Sequence, residues 1–309
     1  MVLSLICPTK DPIPWVAAIQ AIAPDIELRV WPDDGAKDDI TFALVWAQPQ
    51  GIFAQYPHVQ VIASMGAGVD NLLQDTSIPE QATVVRMVDP RLVSQMGDYV
   101  LAAVFNHGRQ FPRYGHQQRQ RQWQPLPPTH LGQITVGVMG LGQIGQSVAQ
   151  RLVQAGFQVV GWSRRAKSMA QVQVFAGQPQ LSDFLSASEI LVCLLPLTAE
   201  TENILNAETL TQLPLGAYVI NVARGQHLVE ADLLALLDRN HLAGACLDVM
   251  RQEPLPQEHP FWSHPKILIT PHIASLTDPV SVAPQIVENY RRYTAGRPLL
   301  NQVDRRQGY

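Results

Sequence analysis

Three apolar runs in the second half of the chain are each followed by polar residues, whose types suit proton transfer beside an anion. Arg224 closes AYVINVARG, Asp248 and Glu253 follow the run opening LAGACLDVMRQE, and His272 closes KILITPH. An arginine can grip a carboxylate or keto oxygen bidentately. A histidine can act as general acid, protonating that oxygen as hydride reaches the neighbouring carbon. Glu253 can orient the imidazole and hold its proton. Singly, each has an ordinary reading: a histidine after Pro271, a surface arginine beside Gly225, an exposed acid in the turn-rich RQEPLP. Together they suit hydride transfer to a ketone next to a carboxylate, and that chemistry needs a hydride donor.

VGVMGLGQIGQSVAQRL supplies a place for one. Gly140, Gly142 and Gly145 have the GxGxxG spacing, after an apolar run and before a helical pattern. The first glycine permits a tight turn, the second lets backbone approach a pyrophosphate, and the third lets helix pack closely on strand. Gln143 and Ile144 then open the helix, whose unpaired amides favour an anion. The next run ends in WSRRAKS, where an acid would stand about 20 residues past the glycines to hold a ribose 2′-hydroxyl. Ser163, Arg164, Arg165 and Lys167 fill that place instead. They would repel nothing on a 2′-phosphate and would hold it by charge-assisted hydrogen bonds. The expected cofactor is NADP(H), with NADPH preferred over NADH.

These residues need strands that end together. VLSLIC (2–7), IELRVW (26–31), FALVWA (42–47), VQVIAS (59–64) and ATVVRMV (82–88) read as short buried strands, with a helix over 14–22 that has proline at its start. A polar stretch, 107–130, contains Pro125, Pro127 and Pro128 and reads as a boundary or an extended arm. Alternation restarts with strands over 134–140, 158–163, 189–196, 217–223, 242–250 and 266–271, and helices over 144–156 and 228–240. The tail 279–296 reads as a final helix beginning near Pro284. Such alternation predicts an α/β protein with parallel sheets covered on both faces, in which ligands bind beyond the carboxyl ends of the strands.

Size and charge narrow the class. A chain of 309 residues suits two domains. Net charge of −4 argues against a general binder of nucleic acid or membrane surfaces. No run approaches the ~20 apolar residues of a membrane span. MVLSLICPTKD lacks the basic start of a signal peptide, and Cys7, Cys193 and Cys246 lie within apolar runs. A cytoplasmic protein with reduced core thiols is expected. No cluster has metal-ligand spacing, so no metal is expected.

GLGQIGQSVAQRL, LLPLTAETENIL, INVARGQHLVEADLLALL, LDVMRQEPLP and LITPHIAS resemble, in this order, the D-isomer-specific 2-hydroxyacid dehydrogenases. ALVWAQP, SMGAGVDNLL, QMGDYV and WSRRAKS are similar to the branch of glyoxylate/hydroxypyruvate reductases that prefer NADPH. The resemblance implies two Rossmann/flavodoxin-like parallel-sheet domains. The substrate domain would be discontinuous (1–100 and 275–309), and the dinucleotide domain would span 101–274. It implies catalytic roles for Arg224, Glu253 and His272. Asp248 and the backbone at Val222 and Ala223 would hold the nicotinamide end, with Leu195, Pro196 and Thr201 along the adenosine side and phosphates. The amides of Ala67 and Gly68 would bind the carboxylate of a small 2-keto acid, Trp46 would wall the pocket, and Met96 would approach it. A homodimer with the 107–130 arm in its interface is implied too. Two alternatives stay open: a related dehydrogenase for a larger 2-keto acid, and a non-catalytic dinucleotide-sensing protein on the same fold.

Overall fold

The computed structural model describes residues 2–306, in two compact units, Met1–Leu92 with Leu276–Tyr309, and Val93–Ser275. Met1 and residues 307–309, which the sequence assigns to the discontinuous domain, lie outside the described residues.

The first unit is built on β1 (Val2–Ile6), β2 (Leu28–Val30), β3 (Ile40–Val45), β4 (Val61–Ser64) and β5 (Thr83–Val85). Every pairing is parallel, in the order β2-β1-β3-β4-β5. Parallel strands need crossovers that cover both faces. That is why VLSLI is buried at every position instead of alternating. One face packs the helices Ile13–Ile22 and Pro279–Thr294 through Trp15, Ile19, Val282 and Ile286. The other face packs Ile52, Phe53, Tyr56 and Leu72. The chain therefore leaves β1 toward one face and β3 toward the other, and the strand order reverses between these two neighbours.

The second unit contains β6 (Thr135–Met139), β7 (Gln158–Ser163), β8 (Gln173–Ala176), β9 (Ile190–Cys193), β10 (Ala217–Asn221), β11 (Leu242–Leu247) and β12 (Ile267–Ile269). The order is β12-β11-β10-β9-β6-β7-β8, again all parallel. This is the doubly wound dinucleotide-binding order with one further strand, reversing between β6 and β9. The three ends expected to carry chemistry belong to β10, β11 and β12, which are adjacent.

Three elements differ from expectation. The 107–130 stretch is not wholly irregular: a helix Pro90–Gly108 runs into it and a second, Phe111–Arg119, follows a left-handed break at Gln110. Gln and Arg are good helix formers, and their polarity hid the element. The edge strand β8 is not expected from the sequence because it is only four residues long and partly exposed, and its apolar run is just Val174–Ala176. The tail helix starts at Pro279, not at Pro284, capped by Asp278 on the Val280 amide at 3.0 Å. Pro284 deprives the Val280 carbonyl of its partner, and Val280 is 67% exposed, so water can replace it. All three cysteines are buried and unpaired. Among the described residues, no helix is long and apolar enough to cross a membrane and no cluster of ligating side chains could hold a metal ion.

Candidate active site

His272 and Glu253 meet, with His272 Nδ1 2.8 Å from a Glu253 carboxylate oxygen. Each side chain is 39% exposed, so the pair faces solvent while its backbone is fixed. Glu253 also accepts the Met250 amide at 2.9 Å. Partial burial raises the carboxyl's pKa. The His272 and Met250 hydrogen bonds, with the charges of His272 and Arg224, outweigh that and hold it below the ordinary glutamate value. Glu253 is therefore an anion at neutral pH, with Arg224 close enough to be felt.

Gly225 is what lets Arg224 come that near. A Cβ there would stand 1.9 Å from the Met250 carbonyl carbon, so only glycine allows the Arg224 turn to lie on the turn that leads to Glu253. His227 locks this turn: its Nδ1 lies 3.2 Å from the Arg224 amide and 3.0 Å from the Arg224 carbonyl, and its Nε2 faces the Pro196 carbonyl at 3.3 Å. The Arg224 guanidinium donates to the Ala223 carbonyl at 2.6 Å.

Asp248 is 1% exposed, and its carboxylate is committed to the segment carrying His272. It accepts the Thr270 hydroxyl at 2.6 Å and the amides of Ile273 and Ala274 at 2.8 and 2.9 Å, while its carbonyl accepts the His272 amide at 2.8 Å. Tyr99 adds its hydroxyl to Thr270 at 2.5 Å. Under this grip His272 adopts φ +53°, the left-handed region. Thr270, Tyr99 and His227 were not singled out in the sequence, although RGQH and ITPH place two of them within three residues of a candidate.

The glycine loop lies at the reversal of the second sheet. Gly140 has φ +111°, and a Cβ there would meet the Leu194 carbonyl at 2.7 Å, so the loop after β6 abuts the one after β9. A Cβ on Gly145 would stand 1.8 Å from the Gly140 carbonyl oxygen, which seats the helix Gln143–Gln154 against its strand. Gly142 is different, because a Cβ there meets nothing within 4 Å. The protein leaves open the space into which a pyrophosphate would fit. Ile144 packs partly buried beside this turn's core, and Leu195 is 8% exposed. Thr201 ties down the loop after β9 through the Pro196 carbonyl at 2.7 Å.

At the end of β7, Ser163 is buried and donates to the Arg165 carbonyl at 2.7 Å, shaping the turn that presents Arg164 and Arg165 to solvent. Lys167 reaches back to the Leu141 carbonyl of the glycine loop at 2.5 Å. The basic run is thus tied to the glycine loop.

A family model for the NAD binding domain of D-isomer specific 2-hydroxyacid dehydrogenases matches residues 101–274. The chain is 40% identical over 300 residues, 96% of each chain, to glyoxylate/hydroxypyruvate reductase A of Yersinia enterocolitica. It belongs to the D-isomer specific 2-hydroxyacid dehydrogenase family. A member from Xanthobacter autotrophicus Py2, solved with NADPH and MES, is 42% identical with a TM-score of 0.95, covering 100% of this chain and 99% of that one. The NADPH-dependent glyoxylate/hydroxypyruvate reductase of Sinorhizobium meliloti, solved with NADP and sulfate, is 33% identical with a TM-score of 0.94, covering 99% of both.

The first unit of this dehydrogenase holds its own candidates. Gly66 lies under Trp46, since a Cβ there would stand 2.7 Å from a ring carbon. Ser64 braces the loop after β4 by accepting the Gly66 amide at 3.1 Å and donating to the Gly68 carbonyl at 3.0 Å. Among the described residues no protein acceptor pairs with the amides of Ala67 and Gly68. Met96 is 7% exposed within the core around Val100 and Val148, where a thioether fills space between helices.

Proposed function

We propose that this dehydrogenase is an NADPH-dependent reductase of small 2-keto acids, glyoxylate and hydroxypyruvate foremost. The observation that carries the reading is the His272–Glu253 pair at 2.8 Å, set with Arg224 at adjacent strand ends of a dinucleotide-binding sheet. NADPH, when bound, supplies the hydride. His272 donates a proton from its ring to the keto oxygen, and Glu253 holds the imidazole through Nδ1 so that Nε2 faces substrate. Arg224 polarises the keto oxygen and grips the carboxylate. The unpaired amides of Ala67 and Gly68 take the carboxylate, with Trp46 as a wall that favours a small substrate.

For the cofactor, the open space at Gly142 admits the pyrophosphate against the amides of Gln143 and Ile144. Arg164, Arg165 and Lys167 surround the 2′-phosphate, with the Ser163 hydroxyl turning toward it. Leu195, Pro196 and Thr201 line the adenosine side, and the backbone at Val222 and Ala223 meets the nicotinamide end. Asp248 serves that end by fixing the His272 segment. Trp123 is fully exposed and Phe111 59% exposed, which suits a homodimer sealed by the 107–130 arm. Three buried, unpaired thiols fit a reducing cytoplasm.

The test is NADPH oxidation over a panel of 2-keto acids. Glyoxylate and hydroxypyruvate should turn over best, and His272→Ala should lower kcat by roughly 100-fold or more while NADPH affinity changes little. Better turnover of a large 2-keto acid would replace the substrate assignment. Tight NADPH binding without any turnover would favour a sensor.

A further inference from the structure

We propose that Lys10 is a substrate-recognition residue, its ammonium held on Trp46 at the reversal of the first sheet to take the carboxylate of the 2-keto acid. This assignment deepens the reductase reading and rests on it.

Lys10 follows β1 and Trp46 follows β3, two neighbouring parallel strands. Because the chain departs from them toward opposite faces, a crevice opens between their carboxyl ends, which is where ligands enter open parallel sheets. Lys10 Nζ lies 4.2 Å from the centroid of the Trp46 ring. The ring also sits over Gly66, so ammonium, indole and the loop of Ala67 and Gly68 form a continuous series at one end of the sheet.

The ammonium lacks the partner that a half-buried cation normally has. Among the described residues no carboxylate lies within ion-pair distance of Lys10, and its side chain has no hydrogen-bond acceptor. Its neighbour Asp11 is turned away, accepting the Ile13 amide at 3.0 Å at the start of the helix Ile13–Ile22. An indole face attracts the charge and fixes its place, yet accepts none of its three N–H donors well. Burial lowers the pKa of Lys10, as expected for a cation held partly out of water without an anion. An anionic ligand would reverse that penalty. The amides of Ala67 and Gly68 are the other unclaimed donors at this end, and a carboxylate has lone pairs enough for both groups.

Steady-state NADPH oxidation with the full-length protein tests the assignment, using glyoxylate and hydroxypyruvate against Lys10→Met and Lys10→Arg. In Lys10→Met the KM for either keto acid should rise about tenfold or more, because a charge-assisted contact is lost. Turnover at saturation should stay within about threefold, since uniform binding alone is removed. Lys10→Arg should recover most of the affinity, and added salt should raise the KM of the wild type more steeply than that of Lys10→Met. Thermal melts establish that each variant is folded. An unchanged keto-acid KM in folded Lys10→Met, beside an active wild type, overturns the role of Lys10 alone. Equal losses in Lys10→Met and Lys10→Arg overturn it too, marking a packing role for the stem. A wild type that turns over no 2-keto acid removes the reductase reading, and this assignment with it.

Discussion

At the residue scale, the proposed chemistry depends on a carboxylate that stays ionised and an imidazole that stays aimed. Glu253 is held below the ordinary glutamate value because its partners favour the anion more than partial burial disfavours it. The sign follows: the pair's contribution is present above the ordinary glutamate range and is lost as pH falls through the lower folded value. Glu253→Gln should therefore cut kcat by roughly 100-fold or more near neutrality, by analogy with loss of an orienting acid elsewhere. Its deficit should shrink only as pH falls through the lowered value of the folded carboxyl, where the wild-type group also becomes neutral. A pH–rate profile of both proteins checks this. The basic run makes a second, separable demand. Arg164→Ala should raise the KM for NADPH about tenfold or more and leave that for NADH nearly unchanged. Equal losses would mean that Arg164 shapes the turn and does not read the phosphate.

At the scale of elements, two glycines of one turn do different things. Gly145 is required by the protein itself, since its helix lies on the Gly140 carbonyl, whereas Gly142 is surrounded by open space. Gly145→Ala should cost about 1–3 kcal/mol of stability through forced displacement. Gly142→Ala should melt like the wild type yet bind NADPH more weakly, as urea titration and cofactor titration would separate. Strand ends and the glycine turn were legible because buried parallel strands leave uninterrupted apolar runs, and the turn has fixed spacing. The edge strand β8 and the helix Phe111–Arg119 were not, because solvent-facing elements carry no such runs. Within the site, Arg224, Glu253 and His272 stood out as polar residues after apolar runs. Asp248 stood out with them, but its clasp on Thr270 and the Tyr99 contact did not, because a hydrogen-bonded support has no spacing that marks it.

At the scale of the whole molecule, ligand and fold stability are linked. NADPH at 100 times its dissociation constant should add about 2.7 kcal/mol to the unfolding free energy. NADH at the same concentration should raise the melting temperature by less, as differential scanning fluorimetry would show. The buried thiols give an independent measure of intactness, with Cys193 pushed up to about 12 by burial. Native protein should react slowly with a thiol reagent, and unfolded protein should release three equivalents. Finally, the φ of +53° at His272 means that the position best suited to chemistry is one at which an unbranched, side-chain-free residue would rest more comfortably. His272→Gly should accordingly be more resistant to heat than His272→Ala, by about 1 kcal/mol, while both are inactive. The enzyme would then be seen to carry its proposed proton donor at the expense of durability, and selection for robustness alone would discard it.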